Sequence, residues 1–298
     1  MSSRATQKAV EVAGVRVGGE PGLRPTVLVG SIFYRGHQIV KDEKKGEFDE
    51  AEAKRLLTLQ DEMAEKTGNP CMVDVVAPTA EALVRELEFV AGATKVPIFL
   101  DGVTPQVRIE ALPRVADLGI MERIVYNSLS PDFKAEEIEA MKKHGVENTV
   151  LLAYNPRDFT ARGRVACIRD GLAKLTQAGV ERVLVDTCVL DIPSLGSACR
   201  AIEQVKAELG SPCGCGAHNA IGTWKGLKTK MPRHAAAPSS AVATALAVAA
   251  GADFVLYGPL AESEFVFPCT ALANTVAART EIEAGRRPER SHPMYRIA

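Results

Sequence analysis

The chain has 298 residues, with 36 Lys plus Arg against 37 Asp plus Glu and a formal net charge of -1, which excludes a nucleic-acid binder working through overall basicity. Its most apolar stretch, Ala241–Ala250, is mostly alanine and too short to span a bilayer, and Met1–Gly19 has no signal-peptide core. Seven unclustered cysteines read as reduced thiols, so the expectation is a cytoplasmic protein with one domain over residues 1–298, no nucleic-acid partner and no membrane insertion.

In chain order, Ala9–Val17 (AVEVAGVRV) alternates about Gly14 and predicts a hairpin, within residues 1–25, that closes the bottom of the fold. Short apolar runs follow at Thr26–Gly30, Cys71–Val76, Pro97–Asp101, Arg123–Asn127, Thr149–Ala153, Arg182–Asp186, Cys213–Ala217 and Asp253–Tyr257. Near-continuous apolar runs are what strands covered on both faces look like, and each gap is long enough for the crossover helix that parallel pairing requires. Between them, Asp49 is placed to cap a helix over Glu50–Lys66, with Glu52 as capping-box partner and Gly68 as the stop. Further helices are expected over Thr79–Ala91, Pro105–Leu118, Lys134–Lys143, Arg164–Ala178 and Ser194–Leu209, each ended by the glycine that follows (Gly92, Gly119, Gly145, Gly179, Gly210). Eight strand–helix units predict a (β/α)8 TIM barrel with an N-terminal β-hairpin, and a doubly wound open sheet is the alternative. Residues 281–298 read as a basic, proline-bearing tail. Two long connections, Ser31–Phe48 and Gly222–Ser239, are expected as structureless loops on the carboxyl face of the barrel.

The carboxyl ends of barrel strands are where such a fold keeps its chemistry. Here they carry Asp74, Asp101, Asn127, Asn155, Asp186, and His218 with Asn219, and no Lys or Arg stands among them. Any one of these could simply cap the next helix. Together they form a ring of carboxylates and amides without a nucleophile, suited to a neutral, donor-rich heterocycle such as a pterin, whose amino group and adjacent N–H a carboxylate accepts side by side. Other readings stay open. Cys213, Cys215 and His218 form a C-x-C-x-x-H cluster with zinc-ligand chemistry, set against an alternation that would turn both thiols into the barrel interior as small packing residues. Cys188 is a possible nucleophile with no basic partner in sequence. The basic run Lys225, Lys228, Lys230, Arg233 and His234 suits an anionic ligand tail or an acidic partner.

The stretch from Val15 through VRVGGEPGLRPTVLVGSIFYRGHQIVKDEKKGEFDEAEA closely resembles the H subunit of tetrahydromethanopterin S-methyltransferase. KTGNPCMVDVV (Lys66–Val76), FLDG, YNS, LVDT, GAHN and Tyr257–Gly258–Pro259 continue the resemblance along the chain. The same family includes bacterial methylcorrinoid:tetrahydrofolate methyltransferases, and all are pterin-binding barrels. The resemblance implies methyl transfer between a corrinoid, carried as methylcobalamin by a separate corrinoid-binding protein, and N5 of a tetrahydropterin. It implies that Asp74, Asp101, Asn127 and Asp186 bind the pterin, with Asp186 on its amino and N3 donors, and that Asn219 is the catalytic amide at N5. It further implies a homodimer and no directly bound metal ion, and leaves the role of His218 open. The expectation is tetrahydrofolate as methyl acceptor, because the chain reads as a free-standing enzyme. The alternatives are a tetrahydromethanopterin-specific subunit, a zinc-dependent corrinoid:thiol methyltransferase, and a non-catalytic binding subunit. Lys225, Lys228, Lys230 and Arg233 are expected to contact the corrinoid partner or the pterin's tail.

Overall fold

The computed structural model describes residues 5–297, so Met1–Arg4 and Ala298 of the predicted ends lie outside the described residues. The chain opens with the antiparallel pair β1 (Ala9–Val12) and β2 (Val15–Gly18), turning at Ala13 and Gly14 as the alternation predicts. β3 (Val27–Ile32) starts the barrel and leads into a small hairpin, β4 (Val40–Asp42) and β5 (Glu47–Phe48). Strand and helix then alternate: α1 (Glu50–Thr67), β6 (Cys71–Ala77), α2 (Ala80–Ala93), β7 (Ile98–Gly102), α3 (Pro105–Asp117) and β8 (Ile124–Leu129). They continue as α4 (Ala135–Lys143), β9 (Asn148–Leu152), α5 (Ala161–Gln177), β10 (Arg182–Asp186), α6 (Ile192–Glu208) and β11 (Cys213–Cys215). The short α7 (His218–Gly222) and α8 (Lys225–Lys230) precede α9 (Ala236–Ala249), β12 (Phe254–Pro259) and α10 (Ser263–Glu283). Eight strands, from β3 and β6 through β12, pair in parallel and close where β12 meets β3, so the open-sheet alternative falls away.

Side-chain alternation sorts each strand into two layers. Val27, Val29, Met72, Phe99, Val125, Val150, Leu184, Phe254 and Leu256 fill the barrel interior, and Val10, Val12 and Val17 of the β1–β2 hairpin pack under them. The hairpin therefore plugs the amino end, as expected. The opposite parity packs outward against the helices.

Most helix ends follow the local chemistry. Asp49 Oδ1 accepts from the Glu52 backbone N–H at 3.1 Å, and Gly68 ends α1 with φ 80°. The reciprocal half of that capping box is absent, because the Glu52 carboxylate instead clamps Arg55 at 2.7 and 2.8 Å. A complete box forms at Asp191 and Ser194, which starts α6 at Ile192, two residues earlier than predicted. Gly119, Gly145, Gly179 and Gly210 adopt the positive φ that ends a helix, but Gly92 does not. α2 runs through it to Ala93 and stops at Thr94, whose hydroxyl donates to Asp61 at 3.0 Å.

Both long connections are more ordered than expected. The first carries the β4–β5 hairpin, and the second is largely α8 and the start of α9, held down by the buried Leu227. Burial of one apolar anchor per turn is enough to fix a segment that looks featureless in sequence.

Candidate functional site

The alternation that fills the barrel also builds the site. Counting two residues on from the interior side chains Met72, Phe99, Val125 and Leu184 reaches Asp74, Asp101, Asn127 and Asp186. The same step from Val29 reaches Ser31 and from Val150 reaches Leu152. These residues line a cavity of about 830 Å3 at the carboxyl end of the barrel. Asn219 and His218, at the start of α7, line it too, as do Gly216 and Gly258.

Within the cavity the polar groups are knitted together. Ser31 Oγ donates to Asp74 Oδ2 at 2.8 Å, and Asn127 Nδ2 donates to Asp74 Oδ1 at 3.2 Å and to Asp101 Oδ2 at 3.4 Å. Asp186 Oδ1 accepts from the Cys188 backbone N–H at 2.7 Å. Among the described residues no Lys, Arg or His forms an ion pair with Asp74, Asp101 or Asp186. Burial pushes the Asp74 carboxyl up to about 6, against the donors Ser31 and Asn127. It pushes Asp186 up to about 6, against the backbone N–H groups of Cys188 and Gly216. Asp101 rises well above the usual carboxylate range through burial and the charge of Asp74. The site is a set of strained acceptors whose charge a ligand's donors would satisfy.

A buried network holds the rim behind them. Arg108 donates to the Gly102 carbonyl at 2.6 Å and the Ser128 carbonyl at 2.9 Å, and it pairs with Glu137 at 3.2 Å. Tyr126 donates to the same Glu137 oxygen at 2.9 Å, and the guanidinium lies 5.0 Å from the Tyr126 ring centre. The ends of β7 and β8, and hence Asp101 and Asn127, are tied to each other through one cation.

The facing wall comes from β12, the segment after β3 and α8. Tyr34, Arg35, Ser240, Glu262 and Lys228 line the cavity there. His218 Nδ1 lies 3.0 Å from the Leu256 carbonyl, which can only accept, so that nitrogen carries the proton. Burial lowers the basicity of the ring.

The structure brings Asp74, Asp101, Asn127, Asp186, Asn219 and Lys228 together around this one cavity. It does not bring Lys225 or Lys230 there; both sit exposed on α8, outside the cavity wall, and the Arg233 side chain lies outside the described positions. Asn155 is also elsewhere, accepting from the Arg157 and Asp158 backbone N–H groups at 3.1 and 3.3 Å as a turn former. The expectation that Cys213 and Cys215 face the barrel interior is wrong. Both pack in the outer layer with Ala201, Val205 and Ala247, because the inward positions of β11 and the turn after it are Gly214 and Gly216. A side chain at Gly214 would strike the Phe254 backbone carbonyl. With the thiols turned away from His218, the C-x-C-x-x-H spacing does not converge, and no metal-holding group of three such side chains exists among the described residues. Cys188 adopts φ 63°, and burial pushes its thiol up to about 12, the opposite of an activated nucleophile.

Sequence reasoning missed Ser31, Tyr34, Arg35 and Glu262. Ser31 sits one residue beyond the predicted end of its strand, so the i, i+2 rule would have found it with a longer strand. The others come from connections, where no periodicity points.

The family model described as "Tetrahydromethanopterin S-methyltransferase MtrH subunit" matches residues 5–288. The chain belongs to the MtrH family. The H subunit of tetrahydromethanopterin S-methyltransferase from Methanothermobacter thermautotrophicus is 35% identical over 302 residues, covering 98% of this chain and 97% of its own. Its counterpart from Methanocaldococcus jannaschii is 35% identical over 311 residues, with 98% of each chain covered. The H subunit of the putative mtx methyltransferase from Methanosarcina barkeri is 32% identical over 299 residues, covering 97% and 96%. In three dimensions this MtrH-family chain shares its fold with dihydropteroate synthases. The Yersinia pestis enzyme with a pterine–sulfa conjugate matches at TM-score 0.61 and 13% identity, covering 94% of this chain and 100% of its own. The Thermus thermophilus enzyme in complex with 6HMPPP matches at TM-score 0.59 and 18% identity, covering 89% and 98%.

Proposed function

We propose that this MtrH-family chain transfers a methyl group between N5 of a tetrahydropterin and a corrinoid presented by a partner protein. The observation that carries the reading is the trio of carboxylates, Asp74 and Asp186 buried and Asp101 half-buried, facing a carboxyl-end cavity without a cation between them. A pterin's amino and N3 donors supply what those acceptors lack, and Asp186 takes both in parallel. Asn127 and Asp101 hold the ring's remaining polar edge, and Asp74 backs Asn127. Asn219 stands at N5, where its amide stabilises the charge that develops as the N5–methyl bond forms or breaks. The main contribution of the protein is alignment of two large reactants.

The names of the matched relatives favour tetrahydromethanopterin over the tetrahydrofolate expected from sequence, and they support the reading of the chain as one subunit of a larger enzyme. The corrinoid, carried as methylcobalamin on its own protein, reaches the cavity mouth past Lys228, with Lys225 and Lys230 on the approach. The chain works without a directly bound metal ion, in the cytoplasm. No helix among the described residues is long and apolar enough to cross a membrane.

Homodimerisation belongs to the same reading. The outer faces of α9 and α10 leave Val242, Leu246, Phe265, Leu272 and Val276 between 48% and 61% exposed beside a groove of about 970 Å3, and a second copy is the occupant this reading assigns. Equilibrium sedimentation of the Leu272→Glu variant tests it: a monomer is expected, and an unchanged mass contradicts it.

The functional reading is tested by mixing the purified chain with tetrahydromethanopterin or tetrahydrofolate and free methylcobalamin. Loss of the methylcobalamin spectrum with either pterin supports it, and the faster pterin identifies the acceptor. No transfer with either, from protein that binds neither, rejects it.

A further inference from the structure

His218 occupies a place that the pterin anchors leave unexplained. It lines the cavity beside Asn219, at the first turn of α7, on the wall opposite Asp74 and Asp101. The Leu256 carbonyl, 3.0 Å away, fixes the proton on Nδ1, so Nε2 holds a lone pair and has no partner among the described residues. The backbone is shaped around the ring. Gly258 has φ +104°, and a Cβ there would lie 2.8 Å from the His218 Cβ, so only glycine lets β12 pass so close. Tyr34, Arg35, Lys228 and Glu262 share that wall, and Glu262 has its Oε2 shut away from solvent and unpartnered.

We propose that His218 is the catalytic base, and in the reverse direction the acid, that moves the proton at the pterin N5. The assignment rests on the methyl-transfer reading above. Toward the pterin, the N5 lone pair forms the new N–C bond while the cobalt–carbon bond breaks and leaves its electron pair on cobalt, Co(III) becoming Co(I). N5 then carries both methyl and hydrogen with a positive charge, and its proton passes to His218 Nε2 and on to water. In reverse, the imidazolium protonates N5 of the methylpterin, which turns that nitrogen into a neutral leaving group when the methyl returns to Co(I). Burial lowers the basicity of the ring and keeps it neutral near pH 7, the form the forward step needs.

The test compares wild type, His218→Asn and His218→Ala with tetrahydromethanopterin and free methylcobalamin. The asparagine amide still reaches the Leu256 carbonyl but takes no proton. Both variants are expected to bind the pterin within about threefold of wild type by calorimetry and to transfer roughly 100-fold more slowly. Added imidazole should restore about tenfold of the rate to His218→Ala and nothing to His218→Asn. The proposal is overturned by an asparagine variant that transfers at nearly the wild-type rate, by an alanine variant deaf to imidazole, or by loss of pterin binding in both. Wild-type protein that neither binds nor transfers sinks the underlying reading instead.

Discussion

The two ends of the barrel bury carboxylates in opposite ways. At the amino end, Asp253 is buried, yet Lys206 grips both its oxygens at 2.7 and 3.0 Å and the Cys213 backbone N–H donates at 2.9 Å. Lys206 in turn donates to the Gly19 carbonyl at 3.0 Å, so charge and hydrogen bonds close on themselves. At the carboxyl end, Asp74 and Asp186 are buried and Asp101 is half-buried, and the groups that donate to them, Ser31, Asn127 and the Cys188 backbone N–H, are all neutral. A closed ion pair locks architecture; open acceptors carry a cost in stability that a ligand's donors would relieve.

The contrast breaks most sharply at the bottom. Lys206→Met strands Asp253 and is expected to lower unfolding free energy by about 3–5 kcal/mol in urea titrations, leaving the cavity residues untouched in the protein that remains folded. At the top, Asp186→Ala should weaken pterin binding roughly 100-fold or more, from the loss of two charge-assisted hydrogen bonds. Asn219→Ala should keep binding and slow transfer, and equal binding losses in the two variants would merge their roles.

The next effect is opposite in sign to the first. Asp101→Asn removes a carboxyl whose charge burial and Asp74 oppose, and should raise stability by about 1 kcal/mol at a pH where the wild-type group is ionised, while weakening pterin binding. Its pH dependence follows from the direction of the shifts. Because burial raises the folded-state affinity of Asp74 and Asp186 for protons, the folded chain holds protons that the unfolded chain has already released. Their contribution to stability is complete below the ordinary carboxylate range and is lost as pH rises through about 6. The urea midpoint should therefore fall between pH 5 and pH 7, and by less in Asp74→Asn. A midpoint rising by the same amount in both proteins would show these groups to be ionised without strain. The smallest effect separates the lysines. Lys228→Glu, on the cavity wall, should weaken pterin or corrinoid-protein binding several-fold, and Lys230→Glu, outside it, should change binding of the pterin by less than about twofold.

Much of this was legible in the residues because one rule, alternation on a strand, governs both core and site. Met72 inward means Asp74 inward, and Leu184 inward means Asp186 inward. The rule fails where strand ends are hard to place. Ser31 fell one residue outside its predicted strand, and the short β11 gave no apolar residue to show which parity faced in, so Cys213 and Cys215 were turned the wrong way. Helices anchored by a single side chain, as α8 is by Leu227, carry no periodic signature. The apolar outer face of α9 has no signature of its own, because an alanine-rich helix reads the same whether a neighbour covers it or not.

The most direct measurement is calorimetric titration of the wild-type chain and Asp186→Ala with tetrahydromethanopterin, and with tetrahydrofolate in parallel. The account predicts saturable one-to-one binding of tetrahydromethanopterin by wild type and its loss in the variant. Binding that survives in Asp186→Ala, or no binding of either pterin by wild type, would contradict it and leave the carboxylates of the open end without a ligand to explain them.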